Sequence, residues 1–150
     1  MFNHVGQCTT DLDRATRFYV DLLGFEIERD LEVPDEAAGP LLGVDPPLNL
    51  RARYLRKGDF VLELMSFERL VRRDTPRVMN EPGLTHLSIS VDDLDASVAQ
   101  VPALGGEVVV VLPNAVMIRD PDGQLLELLT MEYRDMVERM KARATRDPGE

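Results

Sequence analysis

Apolar residues at Ala15, Phe18, Tyr19, Leu22 and Leu23 follow the i, i+3, i+4, i+7, i+8 spacing that lays one stripe along a helix. Thr10 or Asp11 supplies its N-cap, and Gly24 its C-terminal stop. Around this helix the pattern shortens to strand-like runs. VGQCTT precedes it; FEIERDLEV, LRARYL and VLELMSF follow. The same order then returns: LSISV, a helix from about Leu94, then EVVVVL, AVMIRD and LLELLTM. The second helix is less regular, and Pro102 is expected to end or kink it. The chain therefore reads as βαβββ written twice. One helix per strand set predicts an α+β fold, with helices packed on one side of each sheet.

The recurrence extends to single residues. His4, Asp11, Leu12 and Asp13 are matched 82 positions later by His86, Asp93, Leu94 and Asp95, and Gly24 by Gly106. Each copy then carries a glutamate inside an apolar run, Glu63 in FVLELM and Glu127 in LLELL, 64 positions apart. The first copy thus holds 18 extra residues between its His and its Glu, the difference between the 82- and 64-residue offsets. The Pro-, Gly- and acid-rich segment from Glu32 to Pro47 is expected to absorb most of them as a loop or short lid. A single domain over about 1–131 follows. Module one covers about 2–68, RLVRRDTPRVMNEPG is a linker over about 69–83, and module two covers about 84–131. The charged, helix-prone stretch over 132–150 is expected to be a surface helix or a partner-contacting arm.

Composition narrows the partners. The formal charge is −10 with a pI near 4.7, the reverse of a nucleic-acid surface and unfavourable for an anionic membrane. No run approaches the roughly 18 apolar residues of a membrane span, and no leader pattern opens the chain, so a cytoplasmic protein is expected. The clusters Arg51, Arg53, Arg56, Lys57 and Arg69, Arg72, Arg73 read as solvated surface. Cys8 is the single cysteine, which excludes an internal disulfide, and it is expected to be a small buried side chain.

The candidate chemistry sits on the repeat. Both histidines of the chain occupy equivalent positions at the start of the two copies. Glu63 and Glu127 are flanked by leucines at matched positions. A carboxylate buried there unpaired would cost several kcal/mol, so a compensating partner is implied. Strand alternation could instead turn either one to solvent. Their placement beside matched histidines favours the reading of His4, Glu63, His86 and Glu127 as one divalent-metal site. Two imidazoles and two carboxylates suit Ni, Co, Zn, Mn or Fe(II), and the absence of a thiolate speaks against an enclosed structural zinc. Such a metal can polarise a carbonyl, and Glu127 in particular could detach and act as a base. Asp120-Pro121-Asp122-Gly123 reads as a tight turn that sets the register aiming Glu127 inward.

HVGQCTTDLDRATRFYVDLLGF, HLSISVDDLDA and DPDGQLLEL together resemble the vicinal oxygen chelate superfamily, over about Phe2 to Met131. That group includes glyoxalase I, methylmalonyl-CoA epimerase, extradiol dioxygenases and drug-resistance proteins. The resemblance implies paired βαβββ modules whose curled mixed sheets enclose a metal. Its ligands fall on the first and last strands, hence on His4, Glu63, His86 and Glu127. A homodimer is implied in the same way, with the modules paired within one chain or exchanged between two. Glyoxalase I enzymes usually carry an Arg four residues after the first ligand and often an Asn four after the second. Here these are Cys8 and Phe67, which puts glutathione in doubt.

The expectation is a metal-dependent, glyoxalase-like lyase or isomerase acting on a small carbonyl or thioester. Glu127 or Glu63 would move a proton at a metal-bound enediolate. The alternatives are an acyl-CoA epimerase using the Arg51 to Lys57 cluster, an extradiol-type dioxygenase, and a non-catalytic drug-binding protein.

Overall fold

Asp11 opens the first helix by accepting the backbone N–H of Arg14 with its own carboxylate at 2.9 Å. α1 runs over Leu12–Arg17 and continues through one wider π-type turn, Phe18–Leu22. Gly24 stops it at φ +68°, a conformation an L side chain rarely adopts. Asp93 repeats the device at Ala96 to open α3, Leu94–Gln100. Pro102 then starts a short 3₁₀ turn, Pro102–Leu104, and Gly105 takes the left-handed stop at φ 84°. Gly106, which matches Gly24 by offset, is small for another reason. A Cβ there would lie 2.6 Å from both the Arg119 carbonyl and the Phe18 ring.

The computed structural model describes residues 1–71, 75, 78–130 and 133–146. Arg72, Arg73, Met131 and the terminal DPGE lie outside the described residues. β1 (Val5–Cys8), β2 (Glu26–Glu32), β3 (Arg51–Lys57) and β4 (Phe60–Ser66) form one mixed sheet in the order β1-β4-β3-β2. β5 (His86–Ser90), β6 (Glu107–Leu112), β7 (Ala115–Arg119) and β8 (Leu125–Leu129) form a second in the order β5-β8-β7-β6. In each, the first strand pairs in parallel with the last, and the rest are antiparallel. The fold is the expected α+β with two βαβββ modules. Each sheet stays open, not closed on itself.

Alternation divides the faces. Leu62 and Leu64 of β4, and Leu126 and Leu128 of β8, join the helix residues Leu12, Phe18, Tyr19 and Leu94 in one buried core. Because this core draws on both modules, the halves are packed together and do not behave as beads on a linker.

A polar network joins them as well. Asp120 is 3% exposed and accepts from Gln7 of β1 and, at 3.0 Å, from the Tyr19 hydroxyl. Its other oxygen accepts the backbone N–H groups of Asp122 and Gln124, closing the expected turn. Asp122 takes the hydroxyls of Thr9 and Thr10 and an ion pair from Arg14 at 3.0 Å. The DPDG turn thus does more than set register: it ties module two to β1 and α1 of module one.

Three expectations change. The segment from Glu32 to Pro47 is not simply a loop. It holds α2, Asp35–Leu42, with acids in its first turn and Gly43 at its end. Ala38 packs with Leu48 and Leu50 in a small core that also touches Met65 and Phe67. Cys8 is exposed, not buried, because alternation along β1 sends Val5 and Gln7 towards the helices and Gly6 and Cys8 to the other face. The Arg51 to Lys57 cluster is not a free basic surface. Arg53 bonds Asp30, Asp13 and Thr16; Arg56 bonds Glu28; Lys57 donates to the Leu23 carbonyl. β2 is acidic and pairs with β3, so Arg53 and Arg56 meet Asp30 and Glu28 across the sheet. α4, Tyr133–Arg146, is a helix whose described side chains are mostly exposed.

Candidate metal centre

Glu63 is centred on β4, between Gly6 of β1 on one side and Tyr54 of β3 on the other. Leu62 and Leu64 fill the core, so alternation turns Glu63 to the face away from the helices. His4, immediately before β1, shares the side of Gly6 and Cys8. Its Nε2 lies 3.1 Å from Glu63 Oε2. The Tyr54 hydroxyl donates to the other oxygen, Oε1, at 2.6 Å. Burial, and then the neighbouring carboxylate, raise the Tyr54 phenol above its ordinary range, so it stays a donor. The Tyr54 ring stands edge-on to His4 at 5.6 Å and carries the Arg29 guanidinium 4.4 Å from its centre.

The second module repeats the geometry with different neighbours. Glu127 is centred on β8 between Ser88 of β5 and Met117 of β7. His86 Nε2 lies 3.7 Å from Glu127 Oε2, and Thr85 Oγ1 lies 3.0 Å from His86 Nδ1. That contact fixes the ring and leaves Nε2 facing the carboxylate. The Ser88 hydroxyl donates to Glu127 at 2.7 Å. The Glu127 side chain is 32% exposed against 14% for Glu63. Beside Glu127 opens a cavity of about 390 Å³ lined by Val78, Met79, Val110, Leu112 and Met117.

All four residues named from the sequence therefore stand on open sheet faces, but in two pairs. Among the described residues, no group of three or more His, Cys, Asp or Glu side chains gathers to hold an ion. The reason is the topology: β1 and β4 belong to one sheet, β5 and β8 to the other. Each pair nonetheless fits a cation as a donor set. An imidazole nitrogen and a carboxylate oxygen lie within 4 Å of each other, on the sheet face away from the helices. Gly6 helps make the room, since a Cβ there would come 3.6 Å from Glu63 Oε2 and 2.9 Å from the Met65 methyl.

Sequence patterning missed Tyr54, Ser88 and Thr85. Ser88 and Thr85 flank His86 by two and one positions, so their proximity to it was readable. Tyr54 faces Glu63 only through the β3–β4 register, which no spacing along the chain reports. Phe67, by contrast, belongs to the small core beneath α2.

Comparisons agree with this architecture. The family model described as the Glyoxalase/Bleomycin resistance protein/Dioxygenase superfamily matches residues 1–128. The uncharacterized protein YaeR of Escherichia coli (strain K12) is 36% identical over 132 residues, covering 84% of this chain and 92% of that protein. A probable chloroplastic lactoylglutathione lyase of Arabidopsis thaliana is 31% identical over 135 residues, 84% of this chain but only 34% of that longer protein. Among solved structures, a glyoxalase family protein from Bacillus cereus superposes with a TM-score of 0.73 at 23% identity, covering 85% of this chain and 91% of that one. The trypanothione-dependent glyoxalase I of Leishmania major superposes at 0.69 and 23% identity, covering 95% and 94%. With the family model spanning both modules, the chain belongs to the glyoxalase/bleomycin resistance protein/dioxygenase superfamily.

Proposed function

We propose that the chain is a divalent-metal-dependent lyase or isomerase of the glyoxalase kind, which moves a proton beside the carbonyl of a small aldehyde adduct or thioester. The observation that carries this reading is the His–Glu pair repeated at one register position in each module: His4 with Glu63 and His86 with Glu127. The lactoylglutathione lyase relatives support the reaction class. A bound divalent ion would supply Lewis acidity to neighbouring substrate oxygens.

The protein's own groups do the rest. His4, Glu63, His86 and Glu127 hold the ion. Glu127, the more exposed carboxylate, which accepts the Ser88 hydroxyl, takes the proton as general base. The apolar cavity beside it receives the substrate's hydrocarbon part and excludes water from that side. Because one chain presents two separated pairs, we place the complete site between two copies. His4 and Glu63 of one chain would then meet His86 and Glu127 of the other in a homodimer.

An acyl-CoA epimerase would use the Arg51 to Lys57 cluster for the CoA phosphates; bonds from Arg53, Arg56 and Lys57 to Asp30, Asp13, Glu28 and the Leu23 carbonyl weigh against that alternative, while Arg51 is exposed. The test is elemental analysis with light scattering, followed by a substrate panel. The expected result is a dimer holding about one transition metal per site that His86→Ala abolishes, with turnover on a hemithioacetal. A monomer that holds no ion after metal supplementation sinks the proposal. Oxygen consumption with a catechol would move it to the dioxygenases.

A further inference from the structure

Glu63 and Glu127 are equivalent in the repeat, and each accepts a hydroxyl from a neighbouring strand, but from opposite sides: Tyr54 of β3 for Glu63 and Ser88 of β5 for Glu127. Tyr54 and Met117 face the two glutamates from β3 and β7 respectively. The Tyr54 hydroxyl donates to Glu63 Oε1 at 2.6 Å, and this leaves Oε2 as the oxygen beside His4 Nε2. Met117 has no hydrogen to donate. On the other flank of Glu63 stands Gly6, which cannot donate through a side chain and whose missing Cβ leaves room for the Met65 methyl.

The grip is rigid. The Tyr54 residue is 8% exposed, and its ring is held edge-on to His4 and under Arg29. A tyrosine so packed has little rotamer freedom left to lose when it bonds a carboxylate. Tyr54 also touches both members of the pair, the carboxylate by its hydroxyl and the imidazole by its ring edge. The Ser88 hydroxyl on Glu127, by contrast, is exposed and mounted on a freely rotating bond.

We infer that Tyr54 is a positioning residue that fixes the Glu63 carboxylate, through Oε1, as the permanent ion ligand of the first module. The absence of a counterpart at Met117 is what leaves Glu127 free to move. The inference rests on the metal reading above, and its test separates the two. Protein stripped of metal is titrated with Co²⁺ against a chromophoric chelator, as wild type, Tyr54→Phe and His4→Ala. Removing an outer partner of a ligand costs ten- to a hundredfold in affinity. Tyr54→Phe should show that loss together with a shift in the visible bands of bound cobalt. The circular dichroism of the metal-free protein should not change, because the ring and its packing are kept. A role in packing alone would move the unfolding midpoint and leave the cobalt bands where they are, and that outcome overturns the proposal. So does wild-type affinity and spectrum in Tyr54→Phe while His4→Ala loses the ion, which leaves the metal reading standing. Cobalt binding indifferent to both substitutions overturns the two together.

Discussion

The two modules share strand order, caps and a His–Glu pair, and differ in what surrounds the pair. Around Glu63 stand Gly6, Tyr54 and Arg29, with α2 folded over the neighbouring Met65 and Phe67. Around Glu127 stand Ser88, Met117 and an apolar cavity, and no second helix intervenes. The backbone of a duplicated unit fixes where a ligand can sit. Its neighbours across the sheet decide whether that ligand is clamped or mobile. One chain can in this way carry two carboxylates of the same type and give them different work, in the manner of enzymes whose paired acids are separated by environment.

The comparison breaks most visibly at the glutamates. Glu127→Gln should lower turnover at least a hundredfold on whichever member of the carbonyl and thioester panel is active, because a positioned base contributes about 10²–10⁴. Most of the ion should remain, because Glu63 stays fixed by the Tyr54 hydroxyl and both imidazoles are kept. Glu63→Gln should lose the ion first and activity as a consequence. Steady-state kinetics beside metal content decides the matter. Equal loss of metal in both variants would erase the division of labour.

Next in size is the seam between the modules. Asp120→Ala would strand Gln7 Nε2 and two backbone N–H groups in a part-buried place, while the Tyr19 hydroxyl keeps Gln7 Oε1 as its acceptor. Unsatisfied buried donors cost about 1–3 kcal/mol each, so a loss of about 3 kcal/mol is expected in denaturant unfolding. Asp120→Asn sharpens the point through pH. Burial raises the Asp120 pKa above the ordinary value of 3.8, outweighing the hydrogen bonds that lower it. A carboxyl whose folded pKa is raised binds its proton more tightly in the folded state. It therefore adds stability below the unfolded pKa and loses that contribution as pH rises through the folded one. Relative to Asp120→Asn, which cannot titrate, the wild type should gain stability as pH falls through that window. Parallel stability–pH curves would place the buried charge elsewhere.

How much of this was legible in the sequence differs by level. The His and Asp-Leu-Asp matches at one offset carried both modules and the N-caps of their helices, and a second offset picked out the two glutamates, because caps and strand alternation are local. Tyr19 shows where that reading stops. It sits correctly in the apolar stripe of α1, but a stripe is blind to a hydroxyl that meets Asp120 about a hundred residues away. α2 was hidden because Pro40 and two glycines outweighed its acidic first turn in a reading by composition, whereas burial of Ala38 against Leu48 decides the outcome. The split into two pairs was beyond reach for a similar reason. Spacing along a chain matches the residues to each other without saying which sheet carries them.

The smallest effect lies where helix meets sheet. Arg53 faces Leu64 across the β3–β4 register, and Val116 faces Leu128 across β7–β8, so the two hold equivalent places under α1 and α3. Arg53 reaches α1 through Asp13 at 3.1 Å and Thr16 at 3.1 Å, whereas Val116 is 1% exposed in the shared core. Polar and apolar solutions to the same contact should not weigh alike. Truncating a fully buried valine removes about 2 kcal/mol of burial and packing. Losing a partly screened ion pair removes about 1 kcal/mol or less, and that remainder should shrink in high salt. Arg53→Ala and Val116→Ala, unfolded in urea at low and high salt, should therefore differ in size and in salt response. An Arg53→Ala loss as large as that of Val116→Ala and indifferent to salt would mean that the arginine stem's packing, not its charge, holds α1 to the first sheet.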